Sequence, residues 1–140
     1  MARPTYERQA DRERQAEAIA VIERAWGCSA APTKAFYPFD YALKRRSIVA
    51  WAEVKCRTNE HSRYPTYMLS LHKWKDGLHY ESTTGLPFLI VVSFTDGVFY
   101  HQPSKGSPSF DIGGRQDRGD AADMEPCVFI PIQQFKRISE

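Results

Sequence analysis

The sequence predicts an α/β domain, a mixed central β-sheet flanked by helices. Three observations carry that expectation. An amphipathic stretch of helical period opens the chain, residues 48–56 read as a strand apolar on both faces, and residues 87–94 (PFLIVVSF) form a second run rich in Ile and Val. With 140 residues, 42% hydrophobic and 26% charged, the chain has the length of one domain and enough apolar content for a core. A single domain over residues 1–140 is expected, and wholesale disorder is excluded.

In chain order, residues 7–26 read as a helix. Ala16, Ile19, Ile22 and Trp26 fall at helical spacing, widened by Ala18, Val21 and Ala25, with Arg12, Arg14, Glu23 and Arg24 opposite. Gly27 is a fitting stop and Pro32 forbids continuation. Residues 36–44 read as a strand, Arg45–Arg46–Ser47 as a basic turn and residues 48–56 as the partner strand. One parity of that partner is Ile48, Ala50, Ala52, Val54 and Cys56, apolar throughout. The other begins Val49, Trp51 and ends Glu53, Lys55, Arg57. A strand greasy on both faces over its first half belongs mid-sheet, and charges at its end place a cleft there. Residues 68–82 suit a second helix with Leu71, Trp74 and Leu78 inward, ending before Gly85. Asp96–Gly97 signals a hairpin between the run 87–94 and a strand at 98–101. Residues 104–124, glycine-rich and poor in apolar side chains, read as a long loop. Residues 127–135 read as a last strand, at an edge because Pro131 lacks a donor.

The longest apolar run, residues 86–94, contains Pro87 and Ser93 and is far short of the ~20 residues of a membrane span. The first residues lack the apolar core of a secretory signal. Cys28, Cys56 and Cys127 form no CxxC pair, so the expectation is an intracellular, cytoplasmic protein with reduced thiols and no structural zinc. The net charge of +2 is unevenly spread. Residues 40–76 hold eight Lys or Arg against four acids, a local +4, which is what steering toward phosphate needs.

The candidate chemistry lies in Asp40, Glu53 and Lys55. Glu53 and Lys55 share a strand face by the two-residue period. A two-residue or a four-residue turn puts Asp40 on that same face, whereas a three-residue turn removes it unless a bulge restores the register. The expectation is an odd pairing sum. Two carboxylates and an ammonium at the end of a buried strand are costly without a ligand. A hard divalent cation relieves the repulsion, and Mg²⁺ typically takes one or two carboxylates plus phosphate and water. Asp40 and Glu53 would hold Mg²⁺ (Mn²⁺ as the alternative), with the Val54 carbonyl between them. Lys55 would position the attacking water for phosphodiester hydrolysis. Lys44, Arg45 and Arg46 at the hairpin tip, together with Arg57, are candidate nucleic-acid contacts. Tyr37, Tyr41, Tyr64 and Tyr67 flank this segment and either stack on splayed bases or pack the fold.

The run Phe39–Asp40, twelve residues, then Glu53–Val54–Lys55 resembles the PD-(D/E)XK nuclease signature. Within that superfamily the layout is similar to Holliday junction resolvases and small phage nucleases. The resemblance covers residues 14–101 and implies a restriction-endonuclease-like core of αβββαβ order, DNA as substrate and endonucleolytic cutting. It also implies a homodimer whose two sites cut two strands. The family's helical Glu maps onto Glu17, ten residues before Gly27, with Glu23 as the alternative. Its basic residue on the following helix maps onto Lys73, with Lys75 as the alternative. Phe39 stands where the family has proline. Two other readings compete: a non-catalytic nucleic-acid-binding module on the same fold, and an interaction protein in which Glu53 and Lys55 are an ordinary ion pair.

Overall fold

The computed structural model describes residues 6–34, 37–114 and 124–139. Helix α1 spans Tyr6–Trp26 and stops where Gly27 takes the left-handed conformation, φ 60°. Strands β1 (Ser29–Pro32), β2 (Tyr41–Lys44) and β3 (Ile48–Cys56) follow. Next, β4 (Thr66–Ser70) runs directly into helix α2 (Leu71–Thr84). Strands β5 (Phe88–Phe94), β6 (Gly97–His101), β7 (Ser109–Gly114), β8 (Met124–Pro131) and β9 (Lys136–Arg137) complete the chain.

The main sheet has the order β1-β2-β3-β5-β6-β9. It is mixed: β3 and β5 run parallel at its centre, and the other pairs are antiparallel. This is the central sheet the sequence predicts, with β3 in its middle. A second sheet, β4-β8-β7, was not foreseen. Helix α1 covers one face of the main sheet, its Ala18 and Ile22 packing with Ala50, Ala52, Val54 and Val91. On the other face Trp51, Phe88, Ile90 and Val92 join Tyr67, Leu69, Val128 and Ile130 of the second sheet, with Trp74 and Tyr80 of α2 against them. Two apolar layers thus sandwich the main sheet.

Five expectations need correction. The strand expected at 36–44 forms only as Tyr41–Lys44, and the small residues Ser29–Pro32 supply an outer strand instead; Phe36 lies outside the described residues. Helix α2 begins at Leu71 because the Ser70 side chain accepts the Lys73 N–H at 3.2 Å, which frees residues 66–70 to pair as a strand. The hairpin turn falls on Thr95–Asp96, with Gly97 (φ 152°) opening β6. Part of the supposed loop 104–124 is strand β7; its residues 115–123 lie outside the described set. Finally, β8 is central in its sheet, not an edge, and Pro131 is tolerated because it pairs only at the strand's end, opposite Thr66.

Close packing of α2 on β5 positions the site. A Cβ at Gly77 would clash with the edge of the Phe88 ring, so only glycine lets the helix approach this closely. Lys73 lies four residues earlier on the same helix face and is carried over β3. From the opposite layer, the Arg14 guanidinium donates to the carbonyls of Arg57 (2.7 Å) and Ser93 (3.1 Å), bracing the region where β3 and β5 end.

Candidate active site

The β2–β3 register decides where Asp40 goes. Lys44 pairs with Ile48, leaving a three-residue turn that by itself would turn Asp40 to the wrong face. A bulge between Leu43 and Lys44 restores the alternation, so Leu43 pairs with Ala50 and Tyr41 with Ala52. Asp40 therefore sits beside Glu53. Its N–H donates to the Ala52 carbonyl at 3.0 Å, and its Oδ2 accepts the Val54 N–H at 2.9 Å. The residue before it, Phe39, is buried and stacked on Trp51 at 4.9 Å, so aromatic packing anchors this approach.

Glu53 is fully buried. Lys73 Nζ donates to both of its oxygens, at 3.2 and 2.9 Å, and Lys55 Nζ lies 3.8 Å from Oε1. Burial, reinforced by the neighbouring Asp40 carboxyl within hydrogen-bonding range, pushes the Glu53 pKa up to about 7 against the pull of Lys73. For Lys73, burial works toward a lower pKa, but the Glu53 carboxylate outweighs it and the pKa is raised. Both lysine side chains remain about one-third exposed; Lys73 lines a cleft with Asp40, whereas Lys55 lines a separate depression with Asp11, Gln15 and Arg57.

The site opens into a cleft of about 590 Å³ lined by Tyr37, Phe39, Asp40, His72, Lys73 and Asp76. Within it, His72 Nε2 lies 3.2 Å from Asp76 Oδ2. On the other side stands Arg57, donating to the Cys56 carbonyl (3.1 Å) and the Tyr67 hydroxyl (3.2 Å), its guanidinium 5.2 Å from the Tyr67 ring centre. Burial holds the Tyr67 phenol up at about 12, with Glu53 and Asp40 adding to the rise. The sequence offers Tyr67 only as a base-stacking or packing residue, and it gives His72 and Asp76 no place in the site. Reading 68–82 as one helix hid the strand alternation that pairs Tyr67 with Leu69. The four-residue spacing of His72 and Asp76 was the only signal for that pair.

The donor set suits a hard divalent ion. Asp40 and Glu53 are two carboxylates crowded together, and the Val54 carbonyl leaves β3 on the same edge as its N–H, which already meets Asp40. No third His, Cys, Asp or Glu joins them among the described residues. Two carboxylates and a carbonyl leave positions for phosphate and water, as Mg²⁺ prefers. The ion would replace part of the Lys73 contact on Glu53.

The structure gathers Asp40, Glu53, Val54, Lys55 and Lys73, with Arg57 immediately after the end of β3. It does not bring Glu17 to them. Glu17 is exposed on α1, the helix on the opposite face of the sheet, where its charge acts on the Cys56 thiol. The alternative Glu23 is spent on the Ala30 N–H, 2.9 Å from its Oε2. Lys75 lines a separate depression with Leu71 and Glu125. Lys44, Arg45 and Arg46 sit at the far end of β3, roughly 17 Å of strand from Glu53, and Arg45 donates to the Trp26 carbonyl at 2.9 Å.

A family model described as "Phage putative PDDEXK endonuclease" matches residues 1–138. Among solved structures, the Holliday junction resolvase Hjc of Archaeoglobus fulgidus is similar, with TM-score 0.64, 11% identity and 92% of each chain covered. D212, a nuclease from a fusselovirus, is also similar, with TM-score 0.51, 12% identity, and 98% of this chain and 89% of that one covered. At these identities the two structures speak to the fold. No curated protein matches the sequence.

Proposed function

The chain belongs to this phage PDDEXK endonuclease family, and from that premise we propose that it is a metal-dependent endonuclease hydrolysing DNA phosphodiester bonds at Asp40, Glu53 and Lys55. The observation that carries the reading is Asp40, held by the Val54 N–H, next to the fully buried Glu53 carboxylate on which two lysine ammonium groups converge.

Each residue has a distinct task. Asp40, braced by the Val54 N–H, and Glu53 would hold Mg²⁺ or Mn²⁺ together with the Val54 carbonyl. When bound, the ion supplies Lewis-acid stabilisation of charge on the phosphate oxygens. Lys55, about one-third exposed beside Glu53, orients the attacking water toward phosphorus. Lys73 fixes Glu53 in place and adds positive charge where the phosphate gains negative charge. Arg57 pairs with the neighbouring phosphate.

One observation favours a second reading, a nucleic-acid-binding module without turnover: Lys73 already neutralises both Glu53 oxygens. Supercoiled plasmid incubated with Mg²⁺, Mn²⁺ or EDTA separates the two. Metal-dependent nicking lost in both Asp40→Ala and Lys55→Ala is the expected result; binding without cutting in either metal overturns the enzymatic reading.

A further inference from the structure

Beside the carboxylates, past Arg57, lies a second pocket of about 360 Å³ that the reaction as described leaves unused. Its walls include Arg57, Tyr64, Tyr67, Met68, Phe94 and Phe129. Apolar and aromatic side chains dominate it, yet it is open: Tyr64 is 55% and Met68 45% exposed. Large apolar groups held in water next to a charged site mark a binding surface more often than a packing defect. The Tyr67 hydroxyl and the Arg57 guanidinium form the wall toward the carboxylates. Two Arg57 N–H groups go to the protein, so other donors of its five remain at the rim.

Spacing along β3 indicates the occupant. Lys55 and Arg57 share one strand face, roughly 7 Å apart, about the reach of one nucleotide of backbone. A strand whose scissile phosphate lies at Lys55 brings the next phosphate to Arg57. The base on that nucleotide then faces Tyr64, Met68 and Phe129. A purine or pyrimidine still stacked in a duplex cannot enter this pocket; an unstacked base can, and an aromatic wall accepts any base through its π-face.

The geometry points to a base-binding pocket beside the cleavage site, which takes one unpaired or extruded nucleobase and selects DNA that has single-stranded or distorted character there. This inference rests on the nuclease reading of Asp40, Glu53 and Lys55. Charge complementarity at Arg57 and continuity with the carboxylates support it over a protein side chain as occupant.

Abasic scanning tests it. Oligonucleotides carrying one abasic site at successive positions of a single strand are bound in Ca²⁺ and cut in Mg²⁺. The expected result is one position, adjacent to the cut bond, where base removal weakens binding about tenfold. That penalty should vanish in Tyr64→Ala, because the intact strand then binds as weakly as the abasic one, and should return in Tyr64→Phe. Cutting with no position-dependent penalty, or a penalty unchanged in Tyr64→Ala, overturns the pocket while leaving the nuclease reading intact. Absence of cutting on every substrate overturns the nuclease reading itself.

Discussion

The two ends of β3 are both crowded with charged side chains and do opposite things. At its start, Lys44, Arg45 and Arg46 are exposed, and Arg45 caps the last turn of α1 through the Trp26 carbonyl. At its end, Glu53 is buried, Asp40 is pinned against it, and two lysines converge on one carboxylate. Exposed charges cost nothing to keep and need no function to explain them. A buried carboxylate with a second one beside it is retained at a cost in stability, and that cost is the better marker of chemistry.

The largest effect expected from disturbing this contrast comes from Glu53→Gln. It preserves shape, removes one carboxylate, and should lower plasmid cutting by about a thousandfold or more. Wild-type-like cutting by this variant would place the chemistry elsewhere. Lys73→Met comes next, with cutting reduced about tenfold to a hundredfold. It should also destabilise the protein by about 1 kcal/mol at pH 8, a figure reduced for the partial exposure of Lys73. Urea unfolding and plasmid assays on one preparation read both.

A pH titration of stability in EDTA sharpens the comparison further. The Glu53 pKa is raised when folded, so its protonated form favours folding. The benefit is complete below about pH 4.5 and is lost as pH rises through about 7. Its full extent is at most about 3 kcal/mol, it should disappear in Glu53→Gln, and saturating Mg²⁺ should remove the decline near pH 7. A wild-type profile identical to that of Glu53→Gln would contradict the buried-carboxylate account. The smallest effects belong to the other end of the strand. Arg45→Ala should lose about 0.5 kcal/mol of stability through the helix terminus, and Lys44→Ala or Arg46→Ala should change cutting less than about threefold. A larger loss of cutting at the tip would make it a DNA clamp after all.

Much of this was legible in the residues. The apolar doubling of residues 48–52 placed β3 mid-sheet, Gly27 marked the end of α1, and the two-residue spacing of Glu53 and Lys55 marked the candidate site. The position of Asp40 was legible only conditionally. It depended on the parity of a turn, and a bulge at Leu43/Lys44, invisible to pattern, decided it. Glu17 was placed by spacing along a helix. Spacing in one dimension does not say on which side of the sheet the helix lies. The second sheet was hidden because Thr66–Ser70 pairs with β8, far away in sequence, and because Met68 and Leu71 imitate a helical stripe. Long-range pairing overrides local period where the partner strand supplies the hydrogen bonds.

Manganese binding, followed by loss of the free-ion electron paramagnetic resonance signal, tests the central claim most directly. One Mn²⁺ per wild-type chain, weakened at least about tenfold in both Asp40→Asn and Glu53→Gln, is the predicted result. Binding of equal strength in both variants would contradict it.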